Sequence, residues 1–191
     1  LRYGQAVRGV NDGRAAGLIE TRAFTRIVDS IGLLGGSPHW TATDQEVMTE
    51  WFAAYLDWMQ TSDIGRDESD SENNHGTFYD MQVLALALHL GDAAQARRTL
   101  AQSRERIDHH FEADGSQPLE LRRTRPLHYS LFNLEAFTAL AEMSRHTGDD
   151  LWRYTSPKGA TLRKALAFLA PYADPAAKAP WNDVAPVDRA M

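Results

Sequence analysis

At 191 residues, 43% of them hydrophobic, the chain has the size and composition of one ordinary globular domain with a real core. Its net charge of −6 argues against a nucleic-acid partner, which would call for a dominant basic face. The absence of cysteine excludes a disulfide framework and any Cys-ligated zinc or iron–sulfur site, and no run of about 18 uninterrupted apolar residues is present to span a membrane.

The opening LRYGQAVRGVNDGRAAG has neither an initiator Met nor a basic-then-apolar leader, and it reads as the interior of a longer protein. Leu18, Ile19, Phe24, Ile27, Val28, Ile31 and Leu34 then recur at three- and four-residue steps up to Gly35–Gly36, which predicts one amphipathic helix. Thr43 with Glu46 forms a capping-box signature for a second helix reaching about Thr61, its stripe running through Val47, Met48, Trp51, Tyr55, Leu56 and Met59. Trp51 and Trp58 are expected in the core. The acidic stretch 63–74 lacks periodicity and reads as a solvated surface loop. Its Asp67–Glu72 run lacks the glycine and the spacing of a calcium loop.

A third helix is predicted from Phe78 to Leu90, apolar nearly all round and hence packed on more than one side. Asp92 caps a fourth, carrying Ala96, Leu100 and Ile107 and ending before Asp114–Gly115. A fifth spans about His128 to His146 and a sixth about Thr161 to Tyr172, followed by a tail broken by Pro175, Pro180 and Pro186. Six helices without β alternation predict an all-α fold of consecutive antiparallel hairpins, an incomplete (α/α) toroid or barrel rather than a periodic solenoid.

Three segments hold polar residues that neither a core nor a simple turn requires. In Glu72-Asn73-Asn74-His75-Gly76-Thr77-Phe78-Tyr79-Asp80, two amides can donate into a cleft and a neutral imidazole can accept a proton, although an Asn cap beside a loop histidine is the plainer reading. In the stretch Gln117 to Tyr129, Arg122, Arg123 and Arg125 fall within four positions of an acidic chain, and the guanidinium fork matches a carboxylate. A solvated charge run competes with that view, and a lone Tyr129 is more often a packing residue than a proton carrier. The third segment, from Gly13-Arg14 to Arg22, is adequately explained by ion pairing at a helix start. Adjacent His109 and His110 point in different directions on a helix and do not make a metal site.

Together NNHGTFYD, QPLELRRTRPLHYSLFNLEAF and GLIETR resemble the alginate-lyase superfamily of helical-toroid polysaccharide lyases, over about Gly4 to Tyr172. The chain is most similar to the branch acting on polymannuronate or polyglucuronate, with Glu20 where the family's G-(I/L)-I-D-T-R motif has Asp. The resemblance implies a single domain over 1–191, the C-terminal half of an alginate lyase-like (α/α) catalytic domain whose upstream half is its partner. It also implies a periplasmic or secreted enzyme acting on an acidic polysaccharide, without metal or organic cofactor.

It places carboxylate recognition and proton transfer on Asn74 and His75, the active-site arginine on Arg123 and the catalytic tyrosine on Tyr129. Asn73, Arg125, His128 and Arg14 are the expected substrate-binding residues. Arg123 and Tyr129 are six positions apart, one fewer than in the better-known alginate lyases, so substrate preference does not carry over. The rival expectations are a noncatalytic carbohydrate-binding protein on the same fold, and a hydrolase using two of Glu72, Asp80 and Glu120.

Overall fold

The computed structural model describes residues 4–174 and 176–184. Among them the architecture is all-α, with one isolated β-bridge between Val7 and Asn11. A 3-10 segment, Ala15–Ala23, leads into α1 (Phe24–Leu34), followed by α2 (Ala42–Thr61), α3 (Asp63–Ser69), α4 (Asn74–His89) and α5 (Ala93–His110). A single turn, α6 (Pro118–Leu121), precedes α7 (Pro126–Ser144). Short 3-10 turns at Leu151–Arg153 and Ala170–Ala173 flank α8 (Leu162–Leu169).

Everything is built on α4. Each residue from Gly76 to Ala87 is buried, which accounts for the lack of a polar stripe in its sequence. Helices α5 and α7 pack most extensively against it. Phe78, Met81 and Leu84 meet Leu100, Ile107, Leu134 and Phe137 in one core, while Tyr79, Val83 and Leu86 meet Phe52, Leu56, Met59 and Val28 in a second. The three-residue connection from α4 to α5 makes those neighbours antiparallel.

Local capping explains most helix starts. Asp92 Oδ1 accepts from Gln95 N at 2.8 Å and Thr161 Oγ1 from Lys164 N at 3.1 Å. The box of α2 is formed by Thr41 and Asp44, not by Thr43 and Glu46: Thr41 Oγ1 accepts from Asp44 N at 3.1 Å, and Asp44 Oδ2 accepts from Thr41 N at 2.9 Å. Two overlapping signatures compete here. The earlier one extends the helix, and Trp40 Nε1 donating to Gln45 Oε1 secures it.

Two other expectations are corrected. Residues 63–69 are not a solvated loop but helix α3, capped by Ser62 Oγ accepting from Gly65 N at 3.0 Å. Its inward positions are Gly65, where any Cβ would collide with the Met59 carbonyl, and Glu68, only 1% exposed. A helix whose buried residues are a glycine and a glutamate carries no apolar period. Trp51 is 46% exposed and lies on the outside of α2, stacked on Tyr55 at 5.4 Å, while Trp58 stacks on the same ring at 5.8 Å and is half-buried. The true stripe of α2 is Phe52, Tyr55, Leu56 and Met59.

Of the tail prolines, Pro175 and Pro186 lie outside the described residues. The described part of the tail packs Trp181 on Tyr172 and Phe168, and delivers Asp183 to the start of α7, whose Leu127 and His128 N–H groups donate to that carboxylate at 3.3 and 3.4 Å.

The adjacent histidines face apart as expected, His109 outward and His110 into the core. His110 Nδ1 accepts from Asn133 Nδ2 at 3.1 Å, which places the neutral ring's hydrogen on Nε2. Burial, with the Arg106 and His109 charges adding to it, pushes its pKa down to about 3. Below its ordinary pKa of 6.5 the unfolded histidine takes a proton that the folded one refuses until about pH 3, so stability falls as pH drops through that window. A His110→Gln variant should therefore show a flatter loss of unfolding free energy between pH 6.5 and 3 than the parent in denaturant titrations; parallel curves would refute the assignment.

Candidate active site

The first turn of α4 comes from an Asn cap. Asn73 Oδ1 accepts from His75 N at 3.0 Å, so the helix starts at Asn74, four residues before the expected Phe78. The Asn cap of this motif is Asn73. Asn73 ends the chain's extended approach, and Asn74 and His75 sit at the rim of the most buried helix.

Asn74 is 1% exposed and bonded twice to Glu120 of α6: its backbone N donates to Oε1 at 2.8 Å and its Nδ2 to Oε2 at 3.1 Å. The same Glu120 Oε2 lies 3.6 Å from Arg123 Nη1. Burial raises the Glu120 pKa, against the hydrogen bonds from Asn74 and the charges of Arg123 and His75, which lower it. One fully buried carboxylate thus links the two long motifs, 46 residues apart.

Arg123 continues the link to α7. Its guanidinium carbon lies 4.0 Å from the centre of the Tyr129 ring, a cation–π distance, and about a third of its side chain stays accessible. Tyr129 is in the first turn of α7, which begins at Pro126, with φ preset for a helix start, rather than at His128. His128 stacks on Phe132 with centroids 5.9 Å apart and planes 8° from parallel, and it meets the Tyr129 ring at 5.3 Å. Arg125 occupies the N-cap position of α7.

The third motif reaches this neighbourhood through Arg22, whose guanidinium lies 5.4 Å from the Phe132 ring and 6.0 Å from that of Phe78. Arg14 is placed differently. It is exposed on the approach to the first 3-10 segment, with Nη2 donating to Gln5 Oε1 at 2.8 Å. The contacts above gather Asn74, His75, Arg123, Tyr129 and His128, and it is Arg22 rather than Arg14 that joins them.

Sequence reasoning missed Glu68. From the buried side of α3 its Oε1 sits 2.7 Å from His75 Nδ1. A carboxylate there accepts the Nδ1 hydrogen and leaves Nε2 as the ring's proton acceptor. Nothing in the local pattern announces this, because an acidic run on a short helix reads as solvated. Of the carboxylates considered for a hydrolase, Asp80 is bound by Arg106, with Nε to Oδ2 at 2.7 Å, and Glu120 is engaged as described. Glu72 is exposed. Among the described residues no cluster of three or more His, Asp or Glu could hold a metal ion.

The comparisons with known proteins converge on one family. The alginate lyase family model matches residues 1–180. No curated protein matches the chain. Among solved structures, the crystal structure of an alginate lyase from Bacteroides ovatus superposes with a TM-score of 0.90 at 36% sequence identity, over 97% of this chain. The chain spans 50% of the length of that protein. With the family model matching most of its sequence and its fold superposing on that structure, this chain belongs to the alginate lyase family.

Proposed function

We propose that the chain carries the catalytic residues of a polysaccharide lyase that cleaves a uronic-acid polymer, polymannuronate or glucuronan, by β-elimination. The observation that carries this reading is the continuous arrangement in which Glu120 ties Asn74 to Arg123 and Arg123 lies over Tyr129, with His75 oriented by Glu68 at the same helix end.

The chemistry explains why these groups belong together. A uronate resists loss of its C5 proton because the electrons left behind would add negative charge beside an ionised carboxylate. Arg123, with Asn74 beside it, offsets that charge by interactions that strengthen as the enolate-like intermediate develops. A base then takes the C5 hydrogen as a proton, and its bonding pair becomes the C4–C5 double bond. The C4–O4 bond breaks, with its electrons leaving on O4, and an acid protonates that oxygen. Where the two groups share a face of the sugar, Tyr129 serves as base and then acid. Where they lie on opposite faces, His75 Nε2 is the base and Tyr129 the acid. No step calls on a metal or organic cofactor.

A noncatalytic binder has no need of a phenol under a guanidinium or of a histidine set by a buried carboxylate. A hydrolase needs two carboxylates flanking the bond, and two of the three candidates are already committed elsewhere. The rest of the cleft is assigned to the remainder of the catalytic domain. Helix α1 exposes Ile27, Leu33 and Leu34, the middle one 87% exposed, as a face for that remainder to cover.

The test is to incubate the full-length protein with polymannuronate, polyguluronate and glucuronan and follow near-ultraviolet absorbance. The conjugated double bond of a lyase product absorbs there; a hydrolase product does not. Tyr129→Phe should lower turnover at least about a hundredfold while substrate binding survives, since only the ionisable hydroxyl is lost. Near-normal rates would remove Tyr129 from the mechanism. Arg123→Lys should also fail although it keeps the charge, because an ammonium cannot present a planar fork. Retention of activity to within about threefold would reduce the arginine to an ordinary surface charge.

A further inference from the structure

Arg106, near the end of α5, is not part of any motif discussed above. Its Nε donates to Asp80 Oδ2 at 2.7 Å and its Nη2 to Oδ1 at 3.3 Å, a two-pronged pair with side chains 11% and 1% exposed. The same guanidinium binds two backbone carbonyls, one at the end of α3 and one in the connection to α4, Nη2 donating to Ser69 O at 2.6 Å and Nη1 to Ser71 O at 3.0 Å. The helix beneath it has a glycine where it passes. A Cβ on Gly76 would collide with both the Ser71 carbonyl and Nη1, so the glycine of the NNHGT motif admits the guanidinium together with the carbonyl it binds.

The chain positions touched give the arrangement its meaning. Ser69 directly follows Glu68, and Gly76 directly follows His75. Arg106 therefore binds the carbonyl next to Glu68 and lies against the glycine next to His75, the two partners of the 2.7 Å hydrogen bond that joins two helices separated by the 70–73 connection. That bond requires the end of α3 and the start of α4 to keep their spacing. An ion pair needed only to neutralise Asp80 would involve neither the two carbonyls nor the glycine.

We infer that Arg106 is a positioning residue for His75: it fixes the end of α3 against the first turn of α4 and so holds the imidazole on Glu68 in the orientation proton transfer needs. The inference rests on the lyase reading, in which His75 moves a proton.

Loss of Arg106 alone would leave Asp80 charged and buried without its partner, a change that by itself destabilises. The test therefore uses Asp80→Asn/Arg106→Met, Asp80→Asn and Gly76→Ala in the full-length protein. The double variant should stay helical by circular dichroism and lose at least about tenfold in kcat, with KM within about threefold, since small misplacement of a reacting group costs rate rather than affinity. Asp80→Asn keeps both carbonyl bonds and should lose less than about threefold. Gly76→Ala retains Arg106 and Asp80 but crowds both Nη1 and the Ser71 carbonyl, so it disturbs the same seam and should reproduce the kcat loss; if the double variant does not fold, Asp80→Asn/Arg106→Lys, which keeps a cation but not the fork on two carbonyls, decides the question.

Nitrogen-15 histidine spectra supply a readout independent of turnover. The His75 Nδ1 signal, assigned by its absence in His75→Gln, should move in the double variant and in Gly76→Ala but not in Asp80→Asn. An unmoved signal with parental kcat in the double variant and in Gly76→Ala overturns the inference, as does an Asp80→Asn loss equal to that of the double variant. If the full-length parent yields no ultraviolet-absorbing product from any of the three polymers, the lyase reading falls, and the nitrogen spectra alone then decide whether Arg106 holds His75.

Discussion

A carboxylate removed entirely from water is costly unless donors surround it, and Glu120 is 0% exposed. Its donors are the amide and backbone N–H of Asn74, and the Arg123 guanidinium at 3.6 Å adds the opposite charge. Meeting that demand draws the start of α4, the single turn of α6 and the arginine loop into one place. Because the loop then leads straight into α7, the position of Tyr129 under Arg123 follows. A group that takes no part in the proposed reaction thus sets the spacing of those that do, as expected where precise placement matters more than additional reactive groups.

Helix α4 supplies the rigid frame for this arrangement. Buried from Gly76 to Ala87 and flanked by α5 and α7, it cannot shift without opening both cores. Its N-terminal end carries the residues proposed for the chemistry and its interior carries the packing. Buried acid–base pairs reinforce that end from two sides, Glu68 on His75 and Arg106 on Asp80. Burial pushes the Asp80 pKa up to about 6, against the pull of the Arg106 charge and hydrogen bonds.

Overall charge and local charge point in opposite directions. The chain is acidic, with a net charge of −6, yet Arg22, Arg123 and Arg125 collect around the entrance to α7 and its neighbouring aromatic rings. A polyanionic ligand repelled by the average surface would meet arginine charge here. Local field, rather than net charge, governs where such a ligand settles.

The sequence by itself determined what depends on neighbours a few residues apart: most of the helical periods, the cap at Asp92, an Asn cap in the NNH segment, the central helix without a polar face, and the residue types of the NNH and PLEL-to-LHYS segments; it ran the 3-10 segment Ala15–Ala23 and α1 together as one helix. It misled where short-range signals compete or are silent. Thr41 and Thr43 both begin valid capping boxes, and only the Trp40–Gln45 contact accompanies the first. The burial of α3 rests on a glycine against a carbonyl and a glutamate against a histidine, neither of which registers as an apolar period. Trp51, placed inside by its spacing on the predicted stripe, finds its partner in the face of Tyr55 on the outer side of α2. The links that make a site from these motifs, Asn74 to Glu120 across 46 residues and Arg106 to Asp80 across 26, were decided only by the tertiary structure, because whether a buried charge is reactive, structural or absent depends on the donors that folding brings to it.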